Sequence, residues 1–127
     1  MKRIALAMLV GALLLALIGG VAGAVTVQDT FICTTKPCYG TNHNDQIGER
    51  DGKGVSDEIH ARAGGDTVNA RRFGEDTDKV YGQDGGDKIN TDDGDGKDLA
   101  NGGHGKDICN VDKGDTRKSC EEVHVNP

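Results

Sequence analysis

Seven aspartates of the chain share one local pattern, in which a small apolar residue follows two positions later. They are Asp45, Asp57, Asp66, Asp78, Asp87, Asp98 and Asp107. Glycines precede many of them, so each carboxylate is accompanied by backbone carbonyls that have little steric cover. Carboxylate and carbonyl oxygens together are the ligands that Ca²⁺ prefers in proteins. The pattern therefore points to the chemistry of a hard divalent cation.

The spacing of these aspartates alternates along the chain. Successive steps are 12, 9, 12, 9, 11 and 9 residues, so two steps together make 20 or 21. The true period is therefore about 21 residues, and each period contains two short strands and two turns. Stacked in parallel at about 4.8 Å, such strands form two narrow sheets that each supply one inward apolar residue per layer. The predicted inward set is Ile47, Ile59, Val68, Val80, Ile89, Ala100 and Cys109.

The alternation also divides the aspartates between the two edges of the coil. Nine-residue steps lead to one edge and the longer steps lead to the other. The expected columns are a short-turn column of Asp66, Asp87 and Asp107 and a long-turn column of Asp57, Asp78 and Asp98. Carboxylates that are stacked a few ångströms apart repel one another unless a cation lies between them.

Two segments late in this region resemble a known repeat. GGHGKDICN, residues 102–110, matches the nonapeptide GGxGxDxUx of hemolysin-type (RTX) calcium-binding repeats, with Cys109 at the apolar position. GQDGGDKIN, residues 82–90, resembles the same unit with Gln83 at the second glycine. The resemblance covers roughly residues 40–110 and weakens toward the N-terminus, where consensus glycines are missing. It implies an all-β fold, a right-handed parallel β-roll with Ca²⁺ ions between successive turns on each edge.

The resemblance also implies a set of ligands. In the family, an ion takes carbonyls from the first four positions of two stacked turns and both sixth-position aspartates. Carried over by position, the best-matching site consists of Gly82, Asp84, Asp87, Gly103, Gly105 and Asp107. The same rule makes further sites from the pairs Asp66 and Asp87, Asp57 and Asp78, and Asp78 and Asp98. The expected cofactor is Ca²⁺.

The N-terminus has the composition of a secretory signal. Lys2 and Arg3 precede the uncharged apolar stretch IALAMLVGALLLALIGGV, and Ala22-Gly23-Ala24 supplies the small residues of a cleavage site. Residues 1–24 are therefore predicted to be a signal peptide, and the mature chain is expected to be secreted, with no membrane contact. A single-span anchor is the alternative, because the apolar stretch is close to the ~18 residues that cross a bilayer.

Cleavage would leave a small and strongly acidic chain. It would contain 127 − 24 = 103 residues, and the loss of two basic residues would move the formal charge from −6 to −8. The chain has no Trp, two Phe and two Tyr, so a large apolar core is excluded. Low hydrophobicity with high net charge is typical of disorder, and a solvated glycine-rich linker is the alternative interpretation. Seven units in phase favour the ordered roll instead.

Four cysteines, Cys33, Cys38, Cys109 and Cys120, are most simply two disulfides in an exported chain, and three pairings are open. A zinc site is disfavoured because their spacings lack the tight CxxC pattern. A roll about three turns long separates its ends by roughly 15 Å, whereas bridged Cα atoms lie ~4.4 to 6.8 Å apart. For such a roll, local pairing is predicted, Cys33 with Cys38 and Cys109 with Cys120. The expected organisation is an N-terminal cap at residues 25–39, the roll at 40–110 and a C-terminal cap at 111–127.

Other kinds of site find little support in the residues. The segment TDDGDGKDLANG has Thr91 at the first ligand position of an EF-hand and Gly102 where a bidentate Glu is required. The four histidines are interpreted as surface residues, and the arginines Arg62, Arg71 and Arg72 as partners of neighbouring acids rather than of nucleic acid.

Catalysis is not predicted. Beyond residue 24 the serines are Ser56 and Ser119, no GxSxG elbow is present, and the cysteines are assigned to disulfides. The expected function is that of a secreted calcium-ion-binding repeat protein whose ions are required for folding. The alternative is an extracellular or wall-associated structural module, with a protein or cell-wall partner that the residues do not identify.

Overall fold

The computed structural model describes residues 28–49 and 55–127, and within these ranges every regular element is a β-strand. The strands are β1 (Gln28–Ile32), β2 (Cys38–Tyr39), β3 (Asn44–Gly48), β4 (Glu58–Ala63), β5 (Thr67–Asn69), β6 (Lys79–Asp84), β7 (Lys88–Asn90), β8 (Leu99–His104), β9 (Ile108–Asp112), β10 (Thr116–Lys118) and β11 (Glu122–Asn126). Over the same ranges, no helix has the length and hydrophobicity of a membrane span. The predicted signal peptide lies outside the described residues.

The strands form two parallel sheets that the chain visits in turn. One sheet has six strands in the order β1-β3-β5-β7-β9-β11, and the other has five in the order β10-β8-β6-β4-β2. Every pairing is parallel. Because successive strands belong to opposite sheets, the chain winds as a β-solenoid. The prediction of an all-β parallel coil is confirmed.

The centre of the coil holds one file of apolar side chains from each sheet, and Ala61, Ala70 and Val111 add further buried side chains. In the first sheet Ile47 pairs with Val68, Val68 with Ile89, and Ile89 with Cys109. In the second sheet, Ile59, Val80 and Ala100 are aligned in the same way. All seven side chains are at most 1% exposed, so the predicted inward set is confirmed.

The sheets continue beyond residues 40–110 at both ends. Strand β1 pairs with β3, β10 with β8, and β11 with β9. The segments predicted as caps thus supply the outer strands of the same sheets. Strand β1 keeps an aspartate two positions before an apolar residue, since Asp29 and Phe31 pair with Asp45 and Ile47, whereas β10 and β11 do not. The latter two strands pair all the same, because strand pairing needs only backbone groups in register.

Two disulfides close the ends of the coil. Cys33 is bonded to Cys38 with a Cα–Cα distance of 5.5 Å, and Cys109 to Cys120 with a distance of 5.9 Å. The predicted local pairing is therefore present. Two disulfides in so short a chain are typical of an oxidising, extracellular environment.

Stacked glycines allow the short turns to approach one another closely. Gly64, Gly85 and Gly105 lie at the same turn position and have φ values of 136°, 135° and 142°. A Cβ added at Gly85 would overlap the carbonyl oxygen of Gly64, and one added at Gly105 would overlap that of Gly85. Glycine is required here both by the left-handed backbone and by the contact between turns.

Candidate metal centres

The short-turn column of aspartates exists and is held by hydrogen bonds. The backbone N–H of Asp45 donates to Oδ1 of Asp66 at 2.7 Å, that of Asp66 to Asp87 at 2.9 Å, and that of Asp87 to Asp107 at 2.7 Å. All four residues are at most 2% exposed. The structure therefore brings the predicted carboxylates of this edge into one buried file.

The long-turn column follows the same rule on the opposite edge. The N–H of Asp57 donates to Oδ1 of Asp78 at 2.7 Å, and that of Asp78 to Asp98 at 2.7 Å. The column continues to Asp115, whose Oδ1 accepts from the N–H of Asp98 at 3.0 Å. The predicted long-turn aspartates are thus aligned, with one further member that the sequence pattern missed.

Both ends of the short-turn column are closed by side chains of this chain. Glu121 Oε2 accepts from the N–H of Asp107 at 2.8 Å and takes the place of a further aspartate. At the other end, Asp45 accepts from Thr41, with Oδ2 2.6 Å from the backbone nitrogen and Oδ1 2.9 Å from Oγ1. The sequence pattern missed Glu121 because its residue type differs, and Asp115 because it follows Asp107 by only 115 − 107 = 8 residues.

The columns leave one oxygen of most carboxylates without a donor. Oδ1 accepts the hydrogen bond of the column, while Oδ2 is buried and has no hydrogen-bond partner among the described residues. This holds for Asp66, Asp78, Asp87, Asp98 and Asp107. A buried charged oxygen is strongly unfavourable unless a proton, a donor or a metal ion compensates it.

The pKa values of the column aspartates also indicate that compensating positive charge is lacking beside these carboxylates. Burial, with neighbouring carboxylates adding to it, raises the pKa of Asp66, Asp78 and Asp87 to about 6 and that of Asp98 to about 8. The N–H donated along each column lowers these pKa values but does not offset burial. Without a cation, the columns resist full ionisation near neutral pH.

Glycines at the first turn position let these oxygens lie close against the backbone. A Cβ added at Gly82 would lie within 2.5 Å of both Asp87 Oδ2 and the carbonyl oxygen of Gly102. At Gly102, it would lie within 2.5 Å of both Asp107 Oδ2 and the carbonyl oxygen of Ser119. A carboxylate oxygen and a carbonyl oxygen from the next turn therefore converge at each position. This donor set fits a hard cation.

The remaining ligands implied by the resemblance lie in the same turns. The second-position residues Gln83 and Gly103 stack, as do Gly85 and Gly105 at the fourth position. Asp84 differs, because its carboxylate points outward and lies 2.9 Å from His104 Nδ1. Its carbonyl oxygen accepts the N–H of Gly64 at 2.9 Å. The backbone of Asp84 therefore lies among the short turns, while its carboxylate lies outside them.

Further acids, not predicted from the sequence, gather on the long-turn edge. Ligand atoms of Asp93, Asp95 and Asp98 all lie within 4.8 Å of one another. Glu49 is 3% exposed, and burial raises its pKa to about 7, although the N–H of Arg72 donates to it. Asp76 is also buried. In the sequence, the DGDG tetrapeptide at residues 93–96 is the pattern that could have indicated Asp93 and Asp95.

The histidine and arginine residues that were not predicted to bind metal contact aromatic rings or acidic side chains. His60, interpreted as a surface residue, is half-buried between the rings of Tyr39 and Tyr81, with centroids 5.3 and 4.7 Å away. Arg71 lies 3.7 Å from Asp92, as an acid partner was predicted. Arg62 instead lies over the Tyr39 ring, 5.1 Å from its centroid. These contacts order the outer surface of the coil.

No protein-family model, curated protein or solved structure matches the chain. The chemical interpretation of the two aspartate columns therefore rests on their geometry.

Proposed function

We propose that the chain is a secreted calcium-ion-binding repeat protein in which Ca²⁺ ions lie between stacked Gly/Asp turns and are required for folding. The observation that carries the proposal is the file of buried Oδ2 atoms that have no donor among the described residues. In two of the short turns, such an oxygen converges with a carbonyl oxygen of the next turn. An ion bound there would satisfy both oxygens and reduce repulsion along the column.

The donor set favours Ca²⁺ over Mg²⁺. Ca²⁺ accepts six to eight oxygens at about 2.3 to 2.6 Å in irregular arrangements, whereas Mg²⁺ requires near-ideal octahedral geometry and keeps its waters. The residues best placed to hold an ion are Gly82, Asp87, Gly102 and Asp107, with carbonyls of the neighbouring turn positions. When bound, the ion supplies the positive charge that this edge of the coil lacks.

Folding is expected to depend on the ion because the apolar core is narrow. The fully buried apolar side chains are no larger than isoleucine, and the half-buried Phe31 adds one aromatic ring at the end of the coil. The folded chain also contains two files of buried carboxylates, whose like charges repel one another and oppose folding. An ion that binds only the folded chain stabilises it in proportion to its binding free energy.

Secretion is supported by two features. Residues 1–24 have the composition of a signal peptide. The two disulfides are stable where the environment is oxidising. Extracellular fluids also hold calcium at the millimolar concentrations that weak repeat sites need.

The test is a calorimetric titration with Ca²⁺, with far-ultraviolet circular dichroism on the same sample and both disulfides intact. We expect a largely disordered spectrum in chelator and a cooperative change to β structure at micromolar to millimolar Ca²⁺. Mg²⁺ should produce little of this change. Identical folded spectra with and without Ca²⁺ would refute calcium-dependent folding, and the absence of any heat of binding would refute calcium binding itself.

A further inference from the structure

We propose that the long-turn edge holds a second kind of Ca²⁺ site, built from side-chain carboxylates of two successive turns. Asp93, Asp95 and Asp98 come from one turn, and Asp76 comes from the turn before it. The inference rests on the proposed function in taking Ca²⁺ as the ion. It differs from the repeat sites because only Asp98 belongs to a column of sixth-position aspartates.

The three acids of one turn are close enough to share an ion. Their ligand atoms lie within 4.8 Å of one another, and two oxygens bound to one Ca²⁺ at about 2.3 to 2.6 Å lie no more than about 5 Å apart. Oδ2 of Asp93 and Oδ2 of Asp98 are buried and accept no hydrogen bond from any described residue. Asp98 can therefore use Oδ1 for the column and Oδ2 for the ion.

Asp76 supplies independent support from the neighbouring turn. It is 5% exposed, and neither of its carboxylate oxygens accepts a hydrogen bond from any other residue within 28–49 and 55–127. The two turns are in close contact, since a Cβ added at Gly74 would lie 3.2 Å from the carbonyl oxygen of Asp93. Burial raises the pKa of Asp76 most, and the negative charge of Asp95 raises it further.

The described residues leave most of this negative charge uncompensated. Lys97 Nζ lies 3.1 Å from Asp95 Oδ2, but the lysine side chain is 56% exposed. When all four carboxylates are ionised, one ammonium group leaves an excess of three negative charges at a largely buried position. A backbone N–H reaches Asp93, where Asp95 donates to Oδ1 at 3.1 Å. A divalent cation in contact with the four carboxylates would remove most of the excess.

The experiment compares calcium binding by wild-type protein and by three single variants, using calorimetry. Asp95→Asn and Asp76→Asn remove one charge each from the proposed site. Asp92→Asn is the matched control, because it makes the same change in the same turn, but Asp92 faces Arg71 and Asn126 instead. We expect each site variant to lose one bound ion or to weaken one class of site by at least about tenfold, which corresponds to ~1.4 kcal/mol. The control should titrate as wild type does.

The outcomes separate the two proposals. If wild type binds Ca²⁺ and both site variants titrate like Asp92→Asn, the side-chain site is refuted while the proposed function stands. If wild type binds no Ca²⁺, both fail. A second measurement avoids variants that do not fold. In Ca²⁺-loaded wild type, substoichiometric Gd³⁺ should broaden the amide resonances of Gly94 and Gly96, and broadening confined to Gly85 and Gly105 would overturn the site.

Discussion

The backbone N–H of Asp66 donates a 2.9 Å hydrogen bond to Oδ1 of Asp87, which lies one turn further along the coil. This hydrogen bond holds the two neighbouring turns in register. It involves only one of the two oxygens of the Asp87 carboxylate. Oδ2 of Asp87 has no donor among the residues that the structure describes. An aspartate of the column therefore has two separable roles, since asparagine can keep the Oδ1 acceptor but loses the charge.

The first prediction compares two aspartates of the same column. Asp87→Asn should weaken calcium binding by about tenfold or more, equivalent to ~1.4 kcal/mol, because it removes a charged oxygen that lacks other partners. Asp45→Asn should have a smaller effect, because Thr41 already donates to both oxygens of Asp45. Calorimetric titration of the two variants, with folding checked in excess Ca²⁺, measures the difference. Equal affinities would contradict the assignment of Asp87 as a ligand.

The second prediction concerns the narrow space between Gly82 and Asp87 Oδ2. Gly82→Ala should destabilise the Ca²⁺-loaded protein by about 1 to 3 kcal/mol, because the new methyl group overlaps Asp87 Oδ2. Gly86→Ala is the control, since its added Cβ meets only the carbonyl oxygen of Lys106, at 3.2 Å. Denaturant unfolding in excess Ca²⁺ gives both values. A Gly82→Ala variant as stable as Gly86→Ala would show that this space is not needed.

The third prediction concerns the disulfides. Non-reducing peptide mapping should link Cys33 to Cys38 and Cys109 to Cys120. Replacing either pair should lower the free energy of unfolding by about 2 to 3 kcal/mol, because each bridge restricts a short loop of the unfolded chain. A link from Cys33 or Cys38 to either C-terminal cysteine would be incompatible with the extended coil.

The fourth prediction concerns pH in the absence of ions. Carboxyl groups with pKa values near 4 in the unfolded chain have values of about 6 at Asp66, Asp78 and Asp87, and about 8 at Asp98. The folded state therefore binds more protons than the unfolded state between about pH 4 and 8, so its stability is greatest at the acidic end. The stability is lost as the pH rises through 6 and 8.

Circular dichroism in chelator between pH 5 and 8 checks this sign, with thermal unfolding at those pH values where the ion-free chain is folded. The melting temperature, or the folded fraction by circular dichroism, should decrease as the pH rises. With saturating Ca²⁺ the decrease should be smaller or reversed, because protons and ions compete for the same oxygens. A melting temperature that increases with pH in chelator would show that these carboxylates are not destabilising when ionised.

Much of the fold follows from features that are local in the sequence. The step from one aspartate to the next defines the period, and the residue two positions after each aspartate is the one that the coil buries. Val68 and Ile89 are examples, since both are fully buried and lie in register. Cys33 and Cys38 could be paired from their separation and the expected length of the coil. Local periodicity is sufficient here because each layer contacts only its neighbours.

What only the tertiary structure decided is where the repeat ends and which acids meet across turns. Glu121 and Asp115 accept the last hydrogen bonds of their columns, although one has a different residue type and the other follows a shorter step. The turn that contains Asp76 contacts the turn of Asp93, since a Cβ added at Gly74 would lie 3.2 Å from the carbonyl oxygen of Asp93, although Asp76 occupies no consensus position. These contacts join residues 14 to 19 positions apart, so they depend on how neighbouring turns are aligned. That alignment is a property of the stacked backbone, which a single repeat unit does not contain.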